Sequence, residues 1–347
     1  MTTAVPRRTR RVFAAAHVVG DGPRIDWDAT LAFRHHLWAH GLGVADAMDT
    51  AQRGAGLDWP AARELICRTA SEASGDLVVG VGTDQLPPGP ATLPDIVAAY
   101  EEQLAVAVEA GVQPVLMCSR ALADTARGAD DYSFVYGRLL DQLDGTALLH
   151  WLGPMFDPAL AGYWGSSDLD QATASVLELI NAHVGKVDGI KISLLDAERE
   201  VAIRRSLPVG VRLYTGDDYN YPDLIAGDAD GHSDALLGVF DPLAPVAAAA
   251  LRCLDAGDLA GFHARLDPTV ELARHLFAAP TQHYKTGVVF LAWLNGHQDR
   301  FTMLANAQTL RSREHLAELA RLAGSAGVLT RPDRAAALGR EYLGGAA

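Results

Sequence analysis

Short apolar runs and amphipathic stretches alternate along most of this chain. The β-like runs lie at residues 12–19, 44–48, 77–82, 114–119, 147–152, 189–194, 210–215 and 231–237. The second and last are the poorest in strand-forming residues. Between most of them, apolar positions recur at helical spacing, as in Ile96, Tyr100, Leu104 and Val108, or Leu169, Val176, Ile180 and Val184. Residues 28–39, 59–73, 132–143 and 198–206 supply further helices. Asp58 fits an N-cap with Pro60 in the first turn, and Gly41, Gly75, Gly111 and Gly185 fall just past helix ends. Eight strands alternating with helices predict an α/β chain folded as a (β/α)8 TIM barrel. The alternative is a doubly wound open sheet. That fold needs no eighth strand, and no GxGxxG follows the first strand; Gly80-Val81-Gly82 reads as a tight strand end.

Past residue 237 the alternation gives way to helices at 242–255, 259–277, 285–294, 314–323 and 334–342. Breaks fall at Gly257, Asp267-Pro268, Pro280, Gly296 and Arg331-Pro332. The first of these helices closes the barrel. The expected division is a barrel over 1–255 and a helical C-terminal extension over 256–347 packed on it.

Composition narrows the function classes. The formal net charge of the 347 residues is -14, which argues against a nucleic-acid or anionic-membrane partner, since those need clustered Lys and Arg. Arg7-Arg8-Thr9-Arg10-Arg11 precedes an apolar run, as in a signal sequence. That run contains His17 and ends in Gly20-Asp21-Gly22 without a small-residue cleavage site, so it reads as the first strand. No stretch approaches the roughly 18 apolar residues of a membrane span. Cys67, Cys118 and Cys253 are far apart, without CxxC spacing; buried thiols in a reducing, cytoplasmic setting are expected.

In a parallel barrel, chemistry sits at the carboxyl ends of the strands. Lys191 lies between Ile190 and Ile192 on the sixth run, behind Gly189. A buried ammonium there must be paired or pushed toward neutrality, and a neutral amine attacks carbonyls. An edge lysine reaching water along its stem is the plain alternative. The seventh run ends in Tyr214-Thr215-Gly216-Asp217-Asp218, whose acids could orient a substrate hydroxyl, hold a proton or bind a metal. The fifth ends in His150-Trp151-Leu152-Gly153-Pro154; one of His150 and Trp151 faces inward, as acid–base group or as pocket wall. The second leads into Asp49-Thr50-Ala51-Gln52-Arg53, where Thr50 and Arg53 suit a carboxylate. Asp217, Asp218, His232 and Asp234 form a candidate divalent-metal cluster at the mouths of strands seven and eight. His36 and His40 share a helical face outside the barrel with no evident third ligand.

The order of these features resembles the dihydrodipicolinate synthase and N-acetylneuraminate lyase superfamily of class I aldolases. The likeness runs through Asp21-Gly22-Pro23-Arg24-Ile25-Asp26-Trp27, Gly80-Val81-Gly82-Thr83, Gly189-Ile190-Lys191, Gly216-Asp217-Asp218 and Ala229-Asp230-Gly231. It implies Lys191 as a Schiff-base lysine toward a 2-oxo acid or another small carbonyl compound. The reaction would be aldol cleavage or addition, or dehydration, with no cofactor and in a homo-oligomer, dimer or tetramer. The resemblance has departures. Asp49-Thr50-Ala51-Gln52-Arg53 stands where the family has Gly-Thr-Thr-Gly-Glu, and Trp151 stands where it has a tyrosine three residues before a proline. That tyrosine relays protons, so His150, Tyr214 or a water is left to substitute, and the chain reads as a divergent branch. The expected site is therefore Lys191 and His150 for catalysis, with Thr50, Arg53, Trp151, Tyr214, Gly216, Asp217 and Asp218 around the substrate. A metal-dependent barrel built on Asp217, Asp218, His232 and Asp234, and a non-catalytic small-molecule-binding barrel, are the rival readings.

Overall fold

The computed structural model describes residues 8–48, 51–87 and 89–344. All eight predicted runs contain strands: β1 (Val12–Ala15), β2 (Gly43–Asp46), β3 (Leu77–Val81), β4 (Gln113–Leu116), β5 (Ala147–Leu152), β6 (Val187–Ser193), β7 (Arg212–Thr215) and β8 (Asp234–Leu237). They pair in parallel in chain order, and β1 closes the ring against β8, with Phe13 opposite Leu236. The barrel expectation holds, and the open sheet does not.

Helices α1 (Trp27–Ala39), α2 (Trp59–Glu72), α3 (Leu93–Glu109), α4 (Arg120–Thr125), α5 (Ala129–Asp141), α6 (Leu169–Ala182), α7 (Ala197–Ser206) and α8 (Tyr221–Ala226) run between the strands. Their starts follow local chemistry. Asp58 accepts from the Ala61 N–H ahead of α2, and Thr92 and Asp95 form a reciprocal capping box at α3. Gly41 and Gly111 take the positive φ expected just past a helix (+79° and +69°). Gly75 instead allows close approach: a Cβ there would lie 2.7 Å from Trp38 Cδ1.

After β8 come α9 (Phe240–Asp255), α10 (Leu259–Leu266), α11 (Val270–Leu276), α12 (Tyr284–Leu294), α13 (Arg313–Ser325) and α14 (Pro332–Leu343). The predicted 259–277 helix divides at Asp267-Pro268, where proline removes a backbone donor. Every residue of α12 is buried, and its Lys285 Nζ donates to Ala15 O at the end of β1 (3.1 Å). This contact sets the start of α12 over the barrel mouth. No helix among the described residues is long and apolar enough to cross a membrane.

Strand alternation sorts the core into two layers. Phe13, Val78, Val115, Leu148 and Leu236 fill the barrel interior. Val44, Val79, Leu149, Ile190 and Leu213 face the helices. A polar plug closes the amino-terminal end. Arg11 donates to Asp188 (3.1 Å), Tyr214 (3.2 Å) and Gln113 (3.1 Å), while Asp234 accepts from the Arg11 N–H and from Arg212 (both 2.7 Å).

Several strands are shorter than the runs that predict them, β1 and β8 among them. β1 stops at Ala15 rather than Val19. The buried continuation leaves the sheet at the rim, and Gly20–Asp21 then pairs with Arg24–Ile25 in a small hairpin. β8 begins at Asp234 rather than Gly231, because Gly231 bonds back to Asp228 in a turn.

Candidate active site

Lys191 lies on the inner face of β6, 8% exposed. In register beside it are His150 on β5 and Tyr214 on β7. Alternation explains the choice: Gly189, Lys191 and Ser193 point inward, while Ile190 and Ile192 pack in the outer layer. At the carboxyl end of the barrel, Lys191, His150, Ser193, Asp218, Phe277 and Tyr284 line one small cavity, completed by Ala15, Met48, Leu152, Phe156 and Gly238. Two glycines make room. A Cβ at Gly216 would fall 2.7 Å from Lys191 Cε and 2.8 Å from Ile192 O. A Cβ at Gly189 would meet Arg212 O at 2.5 Å and the Tyr214 ring at 2.7 Å.

Burial and the neighbouring Lys191 charge hold His150 well below the ordinary histidine pKa, so its imidazole is neutral near pH 7. Its Nε2 is 3.3 Å from Ser193 Oγ. Its Nδ1 has no hydrogen-bond partner among the described residues. Asp218 is 4% exposed, and burial pushes its carboxyl up to about 7. The Val239 N–H and the Lys191 and Lys285 charges oppose that rise, while Asp217 adds to it. Asp218 Oδ1 accepts from the Val239 N–H (2.9 Å), which fixes the carboxyl at the start of α9. The cavity thus holds an amine, a neutral imidazole, a hydroxyl and a carboxyl whose pKa burial raises.

Of the expected site residues, the structure gathers Lys191, His150 and Asp218 around the cavity, with Gly216 beneath Lys191. The other described ones are turned away from it or engaged elsewhere. Asp217 is one residue from Asp218, but its carboxylate folds back on its own loop and accepts from the Tyr219 and Asn220 N–H groups and the Asn220 amide (2.8–3.0 Å). Trp151 faces the outer, helix-packed layer, so His150 is the inward member of that pair. Tyr214 has its ring inside the barrel, but its hydroxyl donates to Asp188 at the floor (2.7 Å), away from the mouth. Arg53 is 4% exposed and forks onto Asp84 (3.0 and 2.9 Å), with Gln103 and the Ala47 and Gly80 carbonyls taking its other donors. That guanidinium is part of the frame rather than available to a carboxylate. Thr50 lies outside the described residues.

The proposed metal cluster does not assemble. Asp234 sits at the barrel floor, paired with Arg212, and His232 lies in the turn before β8, whereas Asp217 and Asp218 are at the mouth. No group of three or more potential ligands converges among the described residues. The rings of His36 and His40 lie 4.4 Å apart, tilted at 55°, and the His297 ring lies 4.3 Å from that of His36, tilted at 51°.

Ser193 and Tyr284 were missed. Ser193 stands two residues beyond Lys191 on the same strand face, so the period of two points to it. Tyr284 comes from a helix far along the chain, and nothing local in the sequence marks it.

Comparison with solved structures places this geometry among known folds. Dihydrodipicolinate synthase from Aquifex aeolicus superposes with a TM-score of 0.72 at 13% identity, over 93% of this chain and 99% of that one. The Thermotoga maritima synthase gives 0.69 at 15%, over 93% and 100%. YagE from E. coli K12, a prophage protein of the dihydrodipicolinic acid synthase family solved in complex with pyruvate, gives 0.71 at 15%, over 92% and 99%. At such identities the likeness is one of fold. No curated protein matches the sequence. Residues 1–345 match the family model described as protein of unknown function (DUF993). The chain belongs to that family, and it carries the barrel fold of the dihydrodipicolinate synthase structures.

Proposed function

We propose that the protein is a lyase of the class I aldolase type, in which Lys191 forms a Schiff base with a 2-oxo acid or another small carbonyl compound. The observation that carries this reading is the placement of Lys191. It is a lysine on the inner face of a closed barrel, at the carboxyl end, in a cavity shared with groups able to move protons. The protonated imine serves as an electron sink, so a carbon–carbon or carbon–oxygen bond at the neighbouring carbon breaks or forms without a cofactor. Asp218, whose carboxyl burial pushes upward, lines the same cavity and is placed to exchange a proton with the bound substrate. Neutral His150 orients the Ser193 hydroxyl or accepts from it. The fold shared with the pyruvate complex of YagE supports a 2-oxo acid as the first ligand to try.

The test is incubation with a panel of 2-oxo acids, beginning with pyruvate, followed by borohydride reduction and intact mass measurement. A ligand-dependent mass gain is expected, and it is absent in Lys191→Ala. Binding of these acids without any reducible adduct would favour a non-catalytic binding barrel instead.

A further inference from the structure

Tyr284, from the helical C-terminal region, lines the same cavity as Lys191 and is 6% exposed. Among the described residues it is the one tyrosine that lines this cavity. The ring of Tyr284 is held in place. It stacks on Phe277 with centroids 4.4 Å apart and planes 17° apart. Its hydroxyl lies 3.5 Å from where a Cβ on Gly238 would stand, so a glycine leaves space beside it. Lys285 Nζ lies 5.2 Å from the ring centroid. That side chain is 1% exposed and its Nζ lies 3.9 Å from Asp241 Oδ2.

Imine chemistry needs a group that both gives and takes a proton at the reacting carbons. We propose that Tyr284 is that group: the phenol at the start of α12 is a catalytic acid–base residue for the Lys191 reaction, supplied to the barrel by its C-terminal helices. This rests on the Schiff-base reading above. Attack by the neutral Lys191 amine on the substrate carbonyl forms the N–C bond and puts the π pair on oxygen. Tyr284 shuttles the ammonium proton to that oxygen, giving a neutral carbinolamine. It then donates its own proton to the hydroxyl, which leaves as water while the nitrogen lone pair forms C=N⁺. The phenolate next removes a proton from the adjacent carbon, leaving the enamine and a neutral phenol.

The experiment uses the full chain, with pyruvate as the probe. It reads two quantities: the borohydride-trapped adduct at equilibrium, and deuterium exchange from solvent into the pyruvate methyl group. Tyr284→Phe keeps the ring on Phe277, and a thermal melt checks the fold. The expected result is an adduct that still forms, with methyl exchange slowed about 10²-fold or more. Exchange at the wild-type rate in Tyr284→Phe overturns the proposal. A wild-type protein that traps no adduct fails earlier, at Lys191, and overturns both readings. If Tyr284→Phe does not fold, a fluorinated tyrosine at position 284, whose phenol is more acidic, replaces it. The pH profile of exchange then moves to lower pH; an unmoved profile overturns the proposal.

Discussion

Replacing Gly216 with alanine probes the site without removing any reactive group. The added Cβ would stand 2.1 Å from Ser193 Oγ, 2.7 Å from Lys191 Cε and 2.8 Å from Ile192 O. Carbon atoms pack at about 3.5 Å or more, so the lysine tip must retreat by roughly 0.8 Å. Ser193 can rotate away and Lys191 can bend. Ile192 O cannot, because it is backbone and accepts the Gly216 N–H at 2.7 Å. The strain therefore passes into the β6–β7 pairing. Overpacking of this kind costs roughly 1–3 kcal/mol, a fall of a few degrees in Tm. A misplacement near 1 Å costs about 10²-fold in rate, so imine formation with the best 2-oxo acid should slow roughly 10- to 100-fold. The assay is the time course of borohydride-trapped adduct, with a thermal melt beside it. A variant that traps at the wild-type rate and melts at the wild-type temperature would refute the placement of Lys191 over Gly216.

Other expectations follow from the same geometry. Arg53→Ala should destabilise the fold by roughly 1–3 kcal/mol, because the Ala47 and Gly80 carbonyls and Gln103 Oε1 lose a donor and Asp84 loses its ion pair; a denaturant titration reads this, and a change in ligand affinity alone would contradict it. Burial pushes Glu200 up to about 8 from 4.5 although Thr215 and Ser233 donate to it. Between those pH values the folded state holds the proton and the unfolded state does not, so stability falls as pH rises, by up to about 5 kcal/mol. Glu200→Gln should flatten that decline in stability measured from pH 5 to 8; an unchanged slope would show that Glu200 does not titrate there. Asp234→Asn should lower Tm through loss of its Arg212 pair at the floor while leaving trapping at the mouth unchanged. A chelator should likewise leave trapping unchanged; lost activity in either experiment would revive the metal reading.

The barrel was legible because eight apolar runs, each bounded by turn residues, leave few other topologies. Lys191 was legible because Gly189, Ile190 and Ile192 mark a buried strand around one charge. Errors arose where one dimension cannot show direction or partnership. The eighth run begins three residues later than expected, so Asp234 stands at the floor rather than at the mouth with Asp218. Tyr214 is correctly inward, yet its long side chain carries the hydroxyl down to Asp188. Trp151 and His150 are adjacent, and only the register His150 shares with Lys191 decides which faces in. Arg53 looks available in sequence because Asp84, which claims it, lies on another loop. Tyr284 reaches the cavity through tertiary packing alone, on a helix whose residues are all buried.

Two buried lysines stand near the mouth, Lys191 on β6 and Lys285 on α12, and the account depends on which one reacts. The direct measurement is peptide mapping of the borohydride-reduced adduct formed with pyruvate or the best-trapping 2-oxo acid. The adduct is expected on the peptide containing Lys191, retained in Lys285→Met and lost in Lys191→Ala. An adduct on Lys285, or one that survives Lys191→Ala, would contradict it.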